Sequence, residues 1–430
     1  MPPQTDPIIV IGGGLAGMAA AARLAKVGHQ VELYEAGDRL GGRWAPYELG
    51  SSGVVVDKAP SVLGFPAPWR DLFRKSGRPL EAELARNGYA LVPAEPVRVV
   101  FADGSELTLP TDRGEQFRSL TAAYGEPVAG RWRDLLDRLD DVWQTLRPLG
   151  LELELPADAR LSRPVRDGLL ARRTVADLAN SLDHPRLRAL VRSVAYAQGS
   201  EPEQTPALAA VELSALRTFG AWHLEPLKAA DGDTGRSSVL VDALAARLKL
   251  RKVTVHLNRP VSLITVDRAG RATGIETPEG RHNAAAVIST VDPWTFAALL
   301  PRSHGRPTRR RLRRLEPAPT PLVSHELRPE PTTTVSQTTT LTAEGRPTIS
   351  WRRPAGDQTV HTVHDFTRTS ADEAYGVTWR GFASRQRRPP ISSDIGGLYT
   401  AGPFSPAGPG PSQVLLSGAL ASYACHDRLD

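Results

Sequence analysis

Apolar residues follow three rhythms along this chain, and each predicts a different element. "IIVI", Ile8–Ile11, is a short unbroken apolar run of the kind that forms a strand buried on both faces. "WRDLLDRLDDVWQTL", residues 132–146, instead repeats at helical spacing. Trp132, Leu135, Leu136, Leu139, Val142, Trp143 and Leu146 fall on one stripe, which predicts a helix packed against a core rather than one lining a pocket. The segment 332–364 is rich in Thr and Val, and "TVSQTTTL", "PTISW" and "TVHTVH" within it read as strands. A helix over 238–250 is followed by a short strand over 253–257, then by two β-rich stretches separated at the turns "DRAGR" and "PEGR". No internal repeat and no low-complexity linker interrupts the series.

The first strand runs straight into glycines. Gly12, Gly14 and Gly17 match G-x-G-x-x-G: the first permits a tight turn, the second lets backbone approach a pyrophosphate, and the third allows close helix-to-strand packing. A helix opening there aims its N–H groups at the phosphates and runs to about Val27, with Gly28 as its C-cap. A second strand over 30–35 ends on Glu35, eighteen residues past Gly17, where a ribose-binding acid belongs. Such a carboxylate accepts both adenosine ribose hydroxyls and repels a 2′-phosphate, which disfavours NADP. These residues leave NAD and FAD open.

Composition narrows the function classes. With 430 residues, 40% of them hydrophobic and 23% charged, the chain can bury a sizeable core and is globular. The net charge of +6 comes almost wholly from arginine, lysine occurring only at Lys26, Lys58, Lys75, Lys228, Lys249 and Lys252. The densest basic run, "RPTRRRLRRLEP", lacks the interleaved aromatics that stack bases, so it reads as a solvated helix face and no nucleic-acid partner is expected. The lone Cys425 excludes an internal disulfide framework and cysteine metal clusters, and a reducing cytoplasm is the expected compartment. His361 and His364, three apart in a strand, fall on opposite faces and make no metal pair. There is no eighteen-residue apolar run and no basic leader before the glycine-punctuated first stretch. The expectation is a soluble protein, with peripheral membrane contact at most.

"DRLGGRW", residues 38–44, directly after the second strand, resembles the flavoprotein amine oxidase superfamily. Residues 54–85, 236–293 and 396–429 are similar to its phytoene desaturase-like branch. The resemblance implies noncovalent FAD, with Gly41 and Gly42 allowing close backbone approach and Arg43 making a charge-assisted contact to phosphate. It implies an adenine contact through the backbone of Val261, a residue equally compatible with an ordinary strand valine. It places Gly402 at a strand end beside the ribityl chain and a helix N-terminus near Pro411 at the flavin. With the glycine loop, the implied cofactor-binding set is Gly12, Gly14, Leu15, Ala16, Gly17, Glu35, Gly41, Gly42, Arg43, Val261, Gly402, Gly410, Gln413 and Val414. One departure stands out: Pro403 sits where many relatives carry an acid, and Pro406, Pro409 and Pro411 stiffen the loop.

The fold class that follows is α/β, a Rossmann-type FAD-binding domain with a discontinuous α+β substrate domain. The expected FAD-binding domain comprises residues 1–100, 230–300 and 388–430, and the substrate domain 101–229 and 301–387. Enzymes of this kind pass a hydride from a substrate carbon to flavin N5. No second glycine triplet follows a strand, so the electrons would go on to oxygen, a quinone or another small acceptor rather than to NAD(P)H.

Phytoene desaturase-like enzymes dehydrogenate or isomerise apolar substrates at carbon, whereas amine oxidases act at C–N bonds, commonly with a lysine near N5. No lysine follows Lys252, which favours carbon chemistry on a small apolar substrate. The chain is shorter than a typical phytoene desaturase, which argues against a long polyprenoid tunnel. A flavin amine or amino-acid oxidase and a noncatalytic FAD-binding partner subunit remain as alternatives. No catalytic residue is assigned; "FGAWHLEP" and "AYGVTWRGF" flank the FAD segments and offer His223, Glu225, Tyr375, Trp379 and Arg380 as candidates, each also readable as a surface or packing residue.

Overall fold

The computed structural model describes residues 6–154, 160–228 and 234–429. Ile8–Ile11 forms the middle strand of a five-stranded sheet and is buried at all four positions, as an apolar run without alternation requires. On one side of it lie Val31–Tyr34 and then Thr254–His256; on the other lie Ala286–Ser289 and then Leu398–Thr400. Every pairing in this sheet is parallel. Strands from three distant stretches of chain thus build one sheet. Its order reverses between Ile8–Ile11 and Ala286–Ser289, and the crevice beyond the carboxyl ends of strands at such a switch point is where open α/β sheets hold ligands.

Three helices cover one face of the sheet. Leu15–Lys26 follows the first strand and ends at Val27, with Gly28 in the left-handed region just beyond. Val239–Leu250 starts from Ser238, as its sequence predicts. Pro411–Leu429 packs so closely on the first helix that a Cβ at Gly418 would lie 2.6 Å from the carbonyl oxygen of Ala16. The Val239–Leu250 helix and the sheet share one apolar core with these two, which includes Met18, Leu33, Leu244, Ile288 and Leu415.

The second lobe is mixed. Its six-stranded sheet runs in the order Pro317–Arg328, Gln358–Val377, Pro347–Ala355, Ser336–Leu341, Val97–Val100 and Glu106–Leu109. All three strands read between 332 and 364 are present. Helices between 113 and 219 pack on its far end, and the seven stripe residues of Glu126–Leu146 are all buried there, which is the packing role their spacing predicts. Val97–Val100 pairs in parallel with Ser336–Leu341, so a boundary drawn at residue 100 separates this strand from the sheet it joins; the boundary at 229/230 lies outside the described residues. The basic run forms only a short helix, Arg306–Leu312, and Pro317 already begins a strand. Among the described residues no helix is long and apolar enough to cross a membrane.

Candidate active site

At the switch point the chain leaves Ile11, turns at Gly12 and enters the first helix. A Cβ at Gly17 would lie 2.0 Å from the carbonyl oxygen of Gly12, so only glycine lets the helix sit this close to its own turn. Gly14 is different: a Cβ there would meet nothing within 4 Å. The space above it is open, and a side chain would fill the room a phosphate needs. Gly41 donates its N–H to the Gly13 carbonyl at 2.8 Å, laying the second glycine pair against the first loop. A Cβ at Gly42 would approach the Gly14 Cα to 3.3 Å.

Glu35 stands just past the second strand. Its Oε2 accepts the Gly13 N–H at 2.6 Å and its Oε1 accepts the Gly37 N–H at 2.7 Å. A carboxylate has about four acceptor sites, so each oxygen keeps capacity for a ribose hydroxyl. The carboxylate therefore also braces the loop. Asn258 and Arg259 donate their N–H groups to the carbonyls of Gly37 and Glu35 at 2.8 and 2.9 Å, which brings the segment leading to Val261 alongside the acid. Val261 itself is half-buried against the Tyr34 and Ile264 cluster. The open cradle at Gly14, the braced acid and the helix N-terminus together fit a dinucleotide.

From the glycine loop a cavity of about 810 Å³ extends to the six-stranded sheet. Gly14, Leu15, Ala16, Gly41, Arg43 and Val414 line it on one side, and Thr320, Leu322, Val323, His364 and Tyr375 on the other. The Pro411–Leu429 helix presents its N-terminal turn, Pro411 and Val414, to the same space. Gly402 donates its N–H to Ser417 Oγ at 2.8 Å, which ties the preceding loop to this helix. Gln413 folds back over Gly410, where a Cβ would lie 2.3 Å from its side-chain oxygen. Pro403 and Pro409 also reach the cavity wall, so the stiff loop borders the site directly.

Arg43 makes contacts that its motif did not predict. Its guanidinium donates to the backbone carbonyls of Tyr375, at 2.9 Å, and of Ala374, and lies over the Tyr375 ring at 5.4 Å. It clasps the second lobe from the first. Burial raises the Tyr375 phenol above its ordinary range; the Arg43 charge works against that shift and Glu212 adds to it. Glu212, on the helix Val211–Phe219, has its carboxyl pushed up to about 7 by burial.

Of the five catalytic candidates only Tyr375 lines the cavity. His223 is on the strand Ala221–Pro226 opposite Val92, its imidazole lowered by burial, and Glu225 on the same strand is exposed. Trp379 is a core residue, donating from Nε1 to Gln198 at 2.9 Å beneath the Arg388 guanidinium. Arg380 is paired with Glu316 on the surface. Placement explains the separation: Trp379 and Arg380 lie past the end of the strand Gln358–Val377, and His223 and Glu225 lie on a strand of a separate three-stranded sheet. Lys58, Thr290, Asp292 and His364 line the cavity without having been singled out for it. The positions of Thr290 and Asp292, just past the buried strand Ala286–Ser289, were the available signal.

A family model described as flavin-containing amine oxidoreductase matches residues 15–387. Hydroxyneurosporene desaturase of Cereibacter sphaeroides is 31% identical over 301 residues, covering 68% of this chain and 57% of that protein. Phytoene desaturase of Fusarium fujikuroi is 27% identical over 308 residues, 69% of this chain and 51% of that one. The chain thus aligns with little more than half the length of these curated relatives. A structure of putrescine oxidase bound to putrescine has the same fold, with a TM-score of 0.66 at 16% identity over 99% of both chains.

Proposed function

This chain belongs to the flavin-containing amine oxidoreductase family, and from that premise we propose that it removes a hydride from a carbon of a small, mainly apolar organic substrate, by C–C dehydrogenation or flavin-dependent isomerisation. The carrying observation is the continuous cavity of about 810 Å³ that joins the glycine loop to an apolar sheet face. A pocket of about 300–1,000 Å³ is the size that encloses a single ligand. The desaturase relatives support chemistry at carbon.

FAD, when bound, supplies the two-electron acceptor. The chain's own residues position and protect. Leu322, Val323, Trp294 and Phe404 give the cavity an apolar lining suited to an apolar substrate. The N-terminal end of the Pro411–Leu429 helix favours negative charge developing beside it. Tyr375 lines the cavity beside the six-stranded sheet, its phenol raised above the ordinary range by burial. Arg43 keeps the two lobes in register across the site. Oxygen or a quinone is the proposed electron acceptor.

Oxidation at a C–N bond is the second reading, favoured by one observation: a lysine, Lys58, does line the cavity, although from a different segment than the lysine-free stretch after Lys252. Its ammonium repels a protonated amine, so an amine would have to enter neutral. Anaerobic mixing with polyenes, amines and amino acids, followed by flavin absorbance and product mass, tests both. Loss of two hydrogens, or a chromatographically distinct product of unchanged mass, supports carbon chemistry. Rapid bleaching by an amine, with ammonia released on reoxidation, contradicts it, and a flavin that no compound bleaches, with no new product formed, points to a noncatalytic partner subunit.

A further inference from the structure

Lys58 follows the strand Val55–Asp57, and alternation sends the two neighbouring side chains in opposite directions. Asp57 turns into the core, where its Oδ2 accepts the Ser238 N–H at 3.0 Å and the Ser237 hydroxyl at 3.4 Å, at the start of the helix Val239–Leu250. Lys58 faces the cavity. Its backbone carbonyl accepts the His364 Nε2–H at 2.9 Å, which fastens its base to the six-stranded sheet. Among the described residues its ammonium has no hydrogen-bond or ion-pair partner.

The other charged groups around it are committed elsewhere or carry no negative charge. Asp292, the one acid on the cavity wall among the described residues, accepts the Trp294 and Thr295 N–H groups at 2.9 and 2.8 Å and the Thr295 hydroxyl at 2.5 Å. Arg43 is held on backbone carbonyls. Burial lowers His364 to about 4 and His325 to about 4, the second assisted by the Arg353 and Lys58 charges, so both imidazoles are neutral at neutral pH. Ala59, Pro60, Leu322 and Val323 make the adjoining wall apolar. Lys58 is exposed to the open cavity, so a ligand that fills this space strips water from its ammonium, which is costly unless the ligand itself brings an anion.

We propose that Lys58 anchors the carboxylate of an organic-acid substrate whose apolar body lies along the cavity toward the glycine loop. The inference rests on the oxidoreductase reading above and adds the substrate class. A carboxylate on Lys58 forms a charge-assisted pair of the strong kind. The flavin phosphates are the other source of negative charge; their cradle is at Gly14, whereas the Lys58 carbonyl is held by His364 of the six-stranded sheet, and the test below separates the two.

The test is calorimetric titration of the FAD-loaded protein with octanoate and, as its uncharged counterpart, octanamide. Octanoate is expected to bind at least tenfold more tightly. Lys58→Met should erase that preference while leaving octanamide binding and FAD content unchanged, and Lys58→Arg should keep most of it. Equal affinity for acid and amide, absence of binding by both, or a preference surviving in Lys58→Met overturns the proposal. Loss of FAD from Lys58→Met also overturns it, by assigning the lysine to the flavin phosphates. A wild-type protein that carries no FAD is a separate failure, seen before any ligand is added, and it removes the oxidoreductase reading instead.

Discussion

The two ends of the cavity are built in opposite ways. At the glycine loop, most of the framework comes from a single stretch between Gly12 and Arg43, where backbone N–H groups and missing side chains act together with the Glu35 carboxylate. At the sheet, Thr320, His364 and Tyr375 come from two paired strands and Lys58 from a segment more than 250 residues earlier, and side chains do the work. Binding a constant cofactor requires a fixed backbone shape, which a local motif can encode. Selecting a substrate requires a wall whose members change independently.

The largest effect is expected from putting a methyl group on the backbone at the first end. Gly17→Ala places a Cβ 2.0 Å from the Gly12 carbonyl oxygen and should abolish FAD retention or soluble expression. Gly14→Ala meets nothing within 4 Å, so that protein should fold with wild-type thermal stability yet bind FAD poorly. If both variants lost the fold, the loop would be structural rather than a phosphate cradle.

Glu35→Gln comes next. Hydrogen bonds to a charged group contribute about 1.5–3 kcal/mol, so titration of the apoprotein should give FAD affinity reduced roughly tenfold or more. An unchanged affinity would move the ribose site away from Glu35.

A smaller effect belongs to Glu212, near the sheet end. Its native value of about 7 lies above the ordinary 4.5, so the fold holds a proton that the unfolded chain has lost between these values. Stability from this group is therefore complete at low pH and declines as pH rises from about 4.5 to about 7. Glu212→Gln should flatten that decline and raise the melting temperature at pH 8 by about 2 °C or more. A melting curve with unaltered pH dependence would show that the carboxyl is not held protonated.

The smallest effect is expected at Arg380, whose exposed pair with Glu316 is of a kind contributing about 0–1 kcal/mol. Arg380→Ala should leave flavin reduction within about twofold of wild type, a loss beyond which would return this residue to the site.

What the sequence made legible follows the same division. Ile8–Ile11, the glycine triplet and Glu35 are local signals, and each sits where its spacing predicts. The seven-residue stripe of Glu126–Leu146 was equally plain, because helical periodicity reports burial directly. Lys58 was visible only as a residue in a segment of family resemblance, since nothing in "VVVDKAP" says that its carbonyl will be held by His364, 306 positions away. Trp379 and Arg380 were drawn in by proximity to the C-terminal flavin segment, yet one is a core residue and the other a surface pair. Arg43 was recognised by its motif but lies across Tyr375, a contact that depends on how two lobes meet.

The most direct test is the cofactor itself. Purified protein should be yellow and, on denaturation, should release FAD into the supernatant in equal amount to the chain, as judged by absorbance and mass. A colourless protein that takes up no added FAD would contradict the account.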